Sequence, residues 1–259
     1  MNGPEDSQPR HTTVMPPFMK RGLVFLAALA STAASSTPHK VVRKTPALDF
    51  NYQWSAEAAT IPALDLRFYT DAKRALAEAQ KNAAEDQLLA KQQKRDFNQH
   101  DYSMQWTTAG QTPHLLSLQS DLGRFDGGAH PNSVYGALLW DRSAKHEITI
   151  DSLFLRKGAF AALTRARYCA ALNAERSKRR EGEKLDLPDF NACPKYGDLA
   201  IALLDKDKNG RFDTIDFVAS PYTAGPYAEG EYEIPLPVTS QLIAGIKPEY
   251  RSSFERQRQ

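Results

Sequence analysis

Tyr102-Ser103-Met104-Gln105-Trp106, followed by Leu115-Leu116-Ser117-Leu118-Gln119-Ser120-Asp121-Leu122, is where the hydrophobic period of this chain settles at two. Alternation at that period puts successive side chains on opposite faces of a strand. Gly110 to Pro113 lies between the two stretches, so they read as a paired antiparallel unit. Val134 to Trp140 and Ile148 to Ile150 add two further strands. Upstream, Leu48, Phe50, Tyr52 and Trp54 alternate in the same way. Pro62 then opens a long helix to about Lys94, with Thr60 as candidate cap and Phe68, Ala72, Leu76, Ala79 and Ala83 at helical spacing. Its apolar stripe is thin, which suits packing on a sheet and excludes a membrane-active helix. Downstream, Asp151-Ser152 can cap a short turn holding Leu153 and Phe154. A second long helix is expected from about Gly158 to Arg180, then a polar loop over 181–197. Leu199 to Leu204, Ile215 to Ala219 and Tyr232 to Val238 read as strands, and Leu242 to Ile246 as a last amphipathic turn. Elements grouped in blocks predict an α+β fold, an antiparallel sheet or sheets with two long helices packed on one face.

The whole chain has 259 residues, a formal charge of +2 and a hydrophobic fraction of 41%, enough for a substantial core. Near-neutrality excludes nucleic-acid binding, which needs a strongly basic face. The run Lys178-Arg179-Arg180 reads as a solvated helix end answered by Glu181 and Glu183. Residues 1–34 read as an export signal: Lys20-Arg21, an apolar segment from Gly22 to Ala30, then small residues with cleavage sites after Ala30 or Ala34. The segment is too short for a span, which takes about 20 residues, so no membrane span is expected after cleavage. Residues 35–46 are expected to be a linker, and the mature protein periplasmic or secreted. In that oxidising compartment Cys169 and Cys193, the two cysteines of the chain, are expected to form a disulfide.

Two glycine-proline segments stand out: Asp126-Gly127-Gly128-Ala129-His130-Pro131-Asn132 and Pro221-Tyr222-Thr223-Ala224-Gly225-Pro226-Tyr227-Ala228-Glu229-Gly230. Adjacent glycines open backbone angles closed to other residues, and proline fixes the exit. Taken by themselves they are tight turns between strands. Together with Asp151-Ser152-Leu153-Phe154 and Lys247-Pro248-Glu249-Tyr250, they resemble the RsiV-like bacterial envelope domain, over 126–254. The stretch 47–125 resembles, more loosely, the PdaC-like domain found beside it in a peptidoglycan deacetylase. The resemblance implies an exported binding module for a lysozyme-like protein or a cell-wall glycan. It nominates Asp126, Gly127, Gly128, His130, Asn132, Tyr222, Tyr227 and Glu229 as ligand-binding residues. Tyr232 and Tyr250 belong to the same aromatic set. The stretch before the export segment is far shorter than a sigma-binding domain, so transmembrane signalling is not expected.

Asp205, Asp207, Asn209, Asp213 and Asp216 match the spacing of a calcium loop, with Gly210 at its sharp turn. Asp216 replaces the usual glutamate, and the flanks read as strands. A structural calcium site and a plain hairpin built on Asn209-Gly210 therefore both stand. For catalysis, Asp126 with His130 offers an acid-base pair, and Glu229 with Glu231 on one strand would sit about 7 Å apart. A glycan-modifying enzyme and a calcium-stabilised structural protein are the alternatives to the binding module.

Overall fold

The computed structural model describes residues 39–183 and 185–257; the export signal and the first residues of the expected linker lie outside them. Among the described residues nine strands fall into two sheets. The larger holds β1 (His39–Lys44), β2 (Leu48–Trp54), β3 (His100–Gln111), β4 (Leu115–Phe125), β5 (Asn132–Asp141) and β6 (His146–Ile148), adjacent in that order. The smaller holds β7 (Ala200–Leu204), β8 (Thr214–Ala219) and β9 (Tyr232–Pro237). A short helix α1 (Ala56–Ala59) precedes α2 (Pro62–Gln93); α3 (Ala159–Arg179) joins the sheets and α4 (Ser240–Gly245) follows the last strand.

The α+β class and both long helices are as expected, and the arrangement is richer. Every other residue of β2 is buried, from Leu48 to Trp54. These side chains meet Leu64, Phe68 and Ala72 of α2 on the outer face of the large sheet. Phe68 stands between Trp54 and Trp106, with ring centroids 6.2 and 5.0 Å away. Trp54 Nε1 donates to Asp65 at 2.9 Å, tying the strand to the first turn of the helix. The other face of β4 and β5 turns Leu115 and Leu139 into a second core with the small sheet. There Ile215, Phe217 and Ala219 of β8 face Phe160, Tyr168 and Leu172 of α3. The layers thus run helix, sheet, sheet, helix: each long helix covers one face of its own sheet rather than sharing one. The described residues form one compact unit, and the β4–β5 hairpin carries the sheet across residue 126.

Three local expectations are corrected. Residues 39–44 are strand, not linker, because Val41 and Val42 let the segment pair antiparallel along β2. Thr60 does not cap α2: its hydroxyl donates to the Glu57 carbonyl, and Ile61 is the cap position. Strands β2 and β3 run parallel, since α2 carries the chain back before β3 begins. Asp151 reaches past its own turn to accept from the backbone N–H groups of Gly158 and Phe160, so it caps the start of α3. Cys169 and Cys193 form the expected disulfide, fastening α3 to the polar loop behind it.

Candidate functional site

The two glycine-proline segments, distant in sequence, meet at one end of the molecule. Ring stacking joins them: His130 lies on Tyr227 with centroids 3.9 Å apart. A single carbonyl gathers both side chains, for Pro131 O accepts from His130 Nδ1 at 2.9 Å and from Tyr227 Oη at 2.7 Å. Because a carbonyl only accepts, that contact places the imidazole proton on Nδ1. Ser220 Oγ accepts from Tyr135 N at 3.0 Å, a tie between residues flanking the two segments. Between them lies a groove of about 750 Å³ lined by Arg124, Asp126, Asn132, Ser220, Tyr222 and Asp198, among others.

Tyr222 is the most unusual residue of this rim. It is 53% exposed and holds φ at 70°, a left-handed backbone that disfavours a bulky side chain. Its ring stands 5.7 Å from that of Tyr227, so three rings form a continuous outer ledge. The fold holds this ledge from behind. Arg176 Nε donates to Ala224 O at 2.9 Å, and Arg179 donates to the carbonyls of Glu229 and Glu231 at 2.7 Å. Arg180 grips both oxygens of Glu229 at 2.8 Å. The basic run is therefore a clamp rather than a solvated helix end; of its three members, Lys178 alone points out, at 82% side-chain exposure. Sequence reading missed it because a partner for Arg179 and Arg180 lies some 50 residues downstream.

The nominated residues divide. Asp126, His130, Asn132, Tyr222 and Tyr227 gather at the rim. Gly127 sits at φ 77°, and a β-carbon there would come within 3.1 Å of Asp86 Oδ2. Gly128 has open space and a conformation that any residue takes. Glu229 turns inward onto Arg180 and the Tyr232 hydroxyl. Arg180's hydrogen bonds hold its carboxyl below the usual range. Tyr232 is fully buried, and Tyr250 donates to Asp141 beneath the other end of the sheet. The catalytic pairings do not assemble. Asp126 bonds Arg124 and lies 3.8 Å from His100, not on His130. Glu229 is in a 3-10 turn and Glu231 precedes β9, so they share no strand face.

The calcium-loop residues divide as well, four staying at the loop and Asp216 leaving it. Asp205 and Asp207 accept from the backbone N–H of Asn209, and Asp205 also from Gly210, which makes a self-satisfied hairpin turn. Asp213 is buried and accepts from Lys206 N, while Asp216 lies on β8 and bonds Gln119 of β4. Among the described residues no group of three or more His, Cys, Asp or Glu is arranged to hold a metal ion. The donor at the last position points away from the loop because β8 has already begun its alternation, whereas Asp213, just before β8, turns into it.

Comparison with other proteins bears on the fold. No family model matches the sequence, and no curated protein matches it. Among solved structures, a DUF3298 family member from Bacteroides fragilis NCTC 9343 aligns with a TM-score of 0.53 at 15% identity. That alignment covers 84% of this chain and 95% of the other. A DUF3298 family protein from Pseudomonas aeruginosa PAO1 aligns at 0.49 and 14% identity, over 82% and 94%. At 15% identity the likeness to the Bacteroides fragilis protein is one of fold.

Proposed function

We propose that this chain is an exported cell-envelope binding protein, non-catalytic, that engages a lysozyme-type protein through the His130–Tyr227–Tyr222 ledge. The carrying observation is that the two segments bearing the RsiV-like resemblance converge into one exposed aromatic surface, braced from behind by three arginines of α3 and its cap. Exposed aromatics on a rigid support are the anchors that protein interfaces favour. In this reading 47–125 is a PdaC-like portion and 126–254 an RsiV-like one, sharing the large sheet. The disulfide and the lack, among the described residues, of any helix long and apolar enough to cross a membrane fit an extracytoplasmic protein.

Calorimetric titration of residues 35–259 with a c-type lysozyme, and separately with soluble peptidoglycan fragments, tests it. A saturable one-to-one signal with lysozyme that Tyr222→Ala weakens at least tenfold is the expected result. Binding to the fragments alone would transfer the ledge to the cell wall. Silence with both would end the proposal.

A further inference from the structure

Away from the rim the two sheets part, leaving a cleft of about 320 Å³ between β3–β5 and β8–β9. Four carboxylates line it: Asp121 of β4, Asp216 of β8, Glu231 just before β9 and Glu233 within it. Tyr135 and Gln119 stand beside them, and among the described residues no Lys, Arg or His lines the cleft. Asp216 is its buried member at 2% exposure, while Asp121, Glu231 and Glu233 are exposed around it. Gln119 Nε2 donates to Asp216 Oδ2 at 2.8 Å, yet Asp216 Oδ1 is buried with no hydrogen-bond partner among the described residues. Buried polar atoms are otherwise paired almost without exception, and like charges around one cavity raise each other's energy. A cation entering the cleft relieves both costs.

We infer that this cleft is a binding site for an organic cation, the guanidinium of an arginine-like ligand being the class that fits. Its planar fork can donate to the Asp216 carboxylate that lines the cleft and to a carboxylate at the mouth, with the Tyr135 ring beside it. A metal ion is the poorer fit, since no three-donor metal arrangement exists among the described residues.

The protonation pattern agrees. Burial pushes Asp216 up to about 6 against the Gln119 hydrogen bond; the Glu233 charge adds to the rise and Lys206 opposes it. Burial, then the Glu231 charge, raises Asp121. Tyr135 is pushed up to about 12 by burial and by Asp121, Glu231 and Glu233, so it stays neutral. Cation binding therefore strengthens between pH 5 and 7.5 as Asp216 ionises.

The test is titration of the ¹⁵N-labelled protein with N-acetyl-arginine methylamide, followed by amide chemical shifts, with the uncharged citrulline analogue in parallel. Saturable shifts confined to the segments around residues 119–121, 135, 216–218 and 231–233 are expected. Affinity should fall at least tenfold for the citrulline analogue, tenfold in D216N, and several-fold in E233Q, which alters an exposed side chain and leaves the fold intact. Equal binding of the two analogues, affinity unchanged in both variants, or shifts elsewhere would overturn the assignment. Displacement of the arginine probe by equimolar calcium would overturn it in favour of a metal. Lysozyme titration probes the ledge alone, so either result can fail without the other.

Discussion

Glu229 and Asp216 are both sheltered carboxylates within the same half of the molecule, and the fold treats them in opposite ways. Glu229 receives a two-pronged Arg180 guanidinium and the Tyr232 hydroxyl, with side-chain exposures of 14% and 6% for the ion pair. Asp216 receives one amide of Gln119 and keeps an orphan oxygen. Burying a charge is costly unless it is paired and hydrogen-bonded. The first carboxylate is therefore a fastening, and a β-carbon on Gly225 would fall 2.1 Å from its Oε2, so the loop is built around it. The second is a cost left standing. Matched carboxylates identify structure; unmatched ones identify where a ligand belongs.

The strongest way to break the comparison is to unpair Glu229. Arg180→Met strands a nearly buried charge and is expected to cost about 3–5 kcal/mol, read as a drop in the denaturation midpoint. Next, replacing Cys169 and Cys193 by alanine frees the loop behind the clamp. For a sequence separation of 24 the chain-entropy estimate is about 3–4 kcal/mol. Asp216→Asn should act in the opposite direction, and pH decides how far. The folded carboxyl titrates near 6 and the unfolded one near 3.9, so the penalty is absent below about pH 4 and complete above about pH 6. D216N is thus expected to raise the melting temperature by several degrees at pH 7.5, with a ceiling near 3 kcal/mol, and to leave it unchanged at pH 4. Glu229 has the reverse sign: its depressed pKa contributes stability above the unfolded value near 4.3, lost as the pH falls further. A D216N curve parallel to wild type from pH 4 to 7.5 would dissolve the contrast. The smallest stability effect belongs to the ledge: Tyr222→Gly relieves a left-handed backbone and should stay within about 1 kcal/mol of wild type by calorimetry.

Much of the fold was legible because burial followed period. β2 spans the residues that its alternation marked, and α2 begins at its proline and ends at a left-handed Lys94. The two glycine-proline segments announced themselves by composition. What stayed hidden depends on which surface a second layer covers. Ser117, Gln119 and Asp121 alternate as polar residues along β4, but the small sheet lies over that side. Asp216 read as the last donor of a loop because spacing counts residues and is blind to the direction in which β8 turns its side chains. Likewise the parallel pairing of β2 with β3 follows from where α2 returns the chain, not from either strand's own pattern.

The margins of the large sheet bear on how the protein behaves in a crowd. One margin is β1, His39-Lys40-Val41-Val42-Arg43-Lys44, whose residues other than Val41 are exposed. The other is β6, only three residues long. A foreign copy of β1 approaching the first would bring Lys40, Arg43 and Lys44 against like charges, and the second offers too few backbone partners to hold a newcomer. Growth of the sheet from one molecule into the next is thereby discouraged at both ends, so the protein can accumulate without its broadest sheet seeding fibrils.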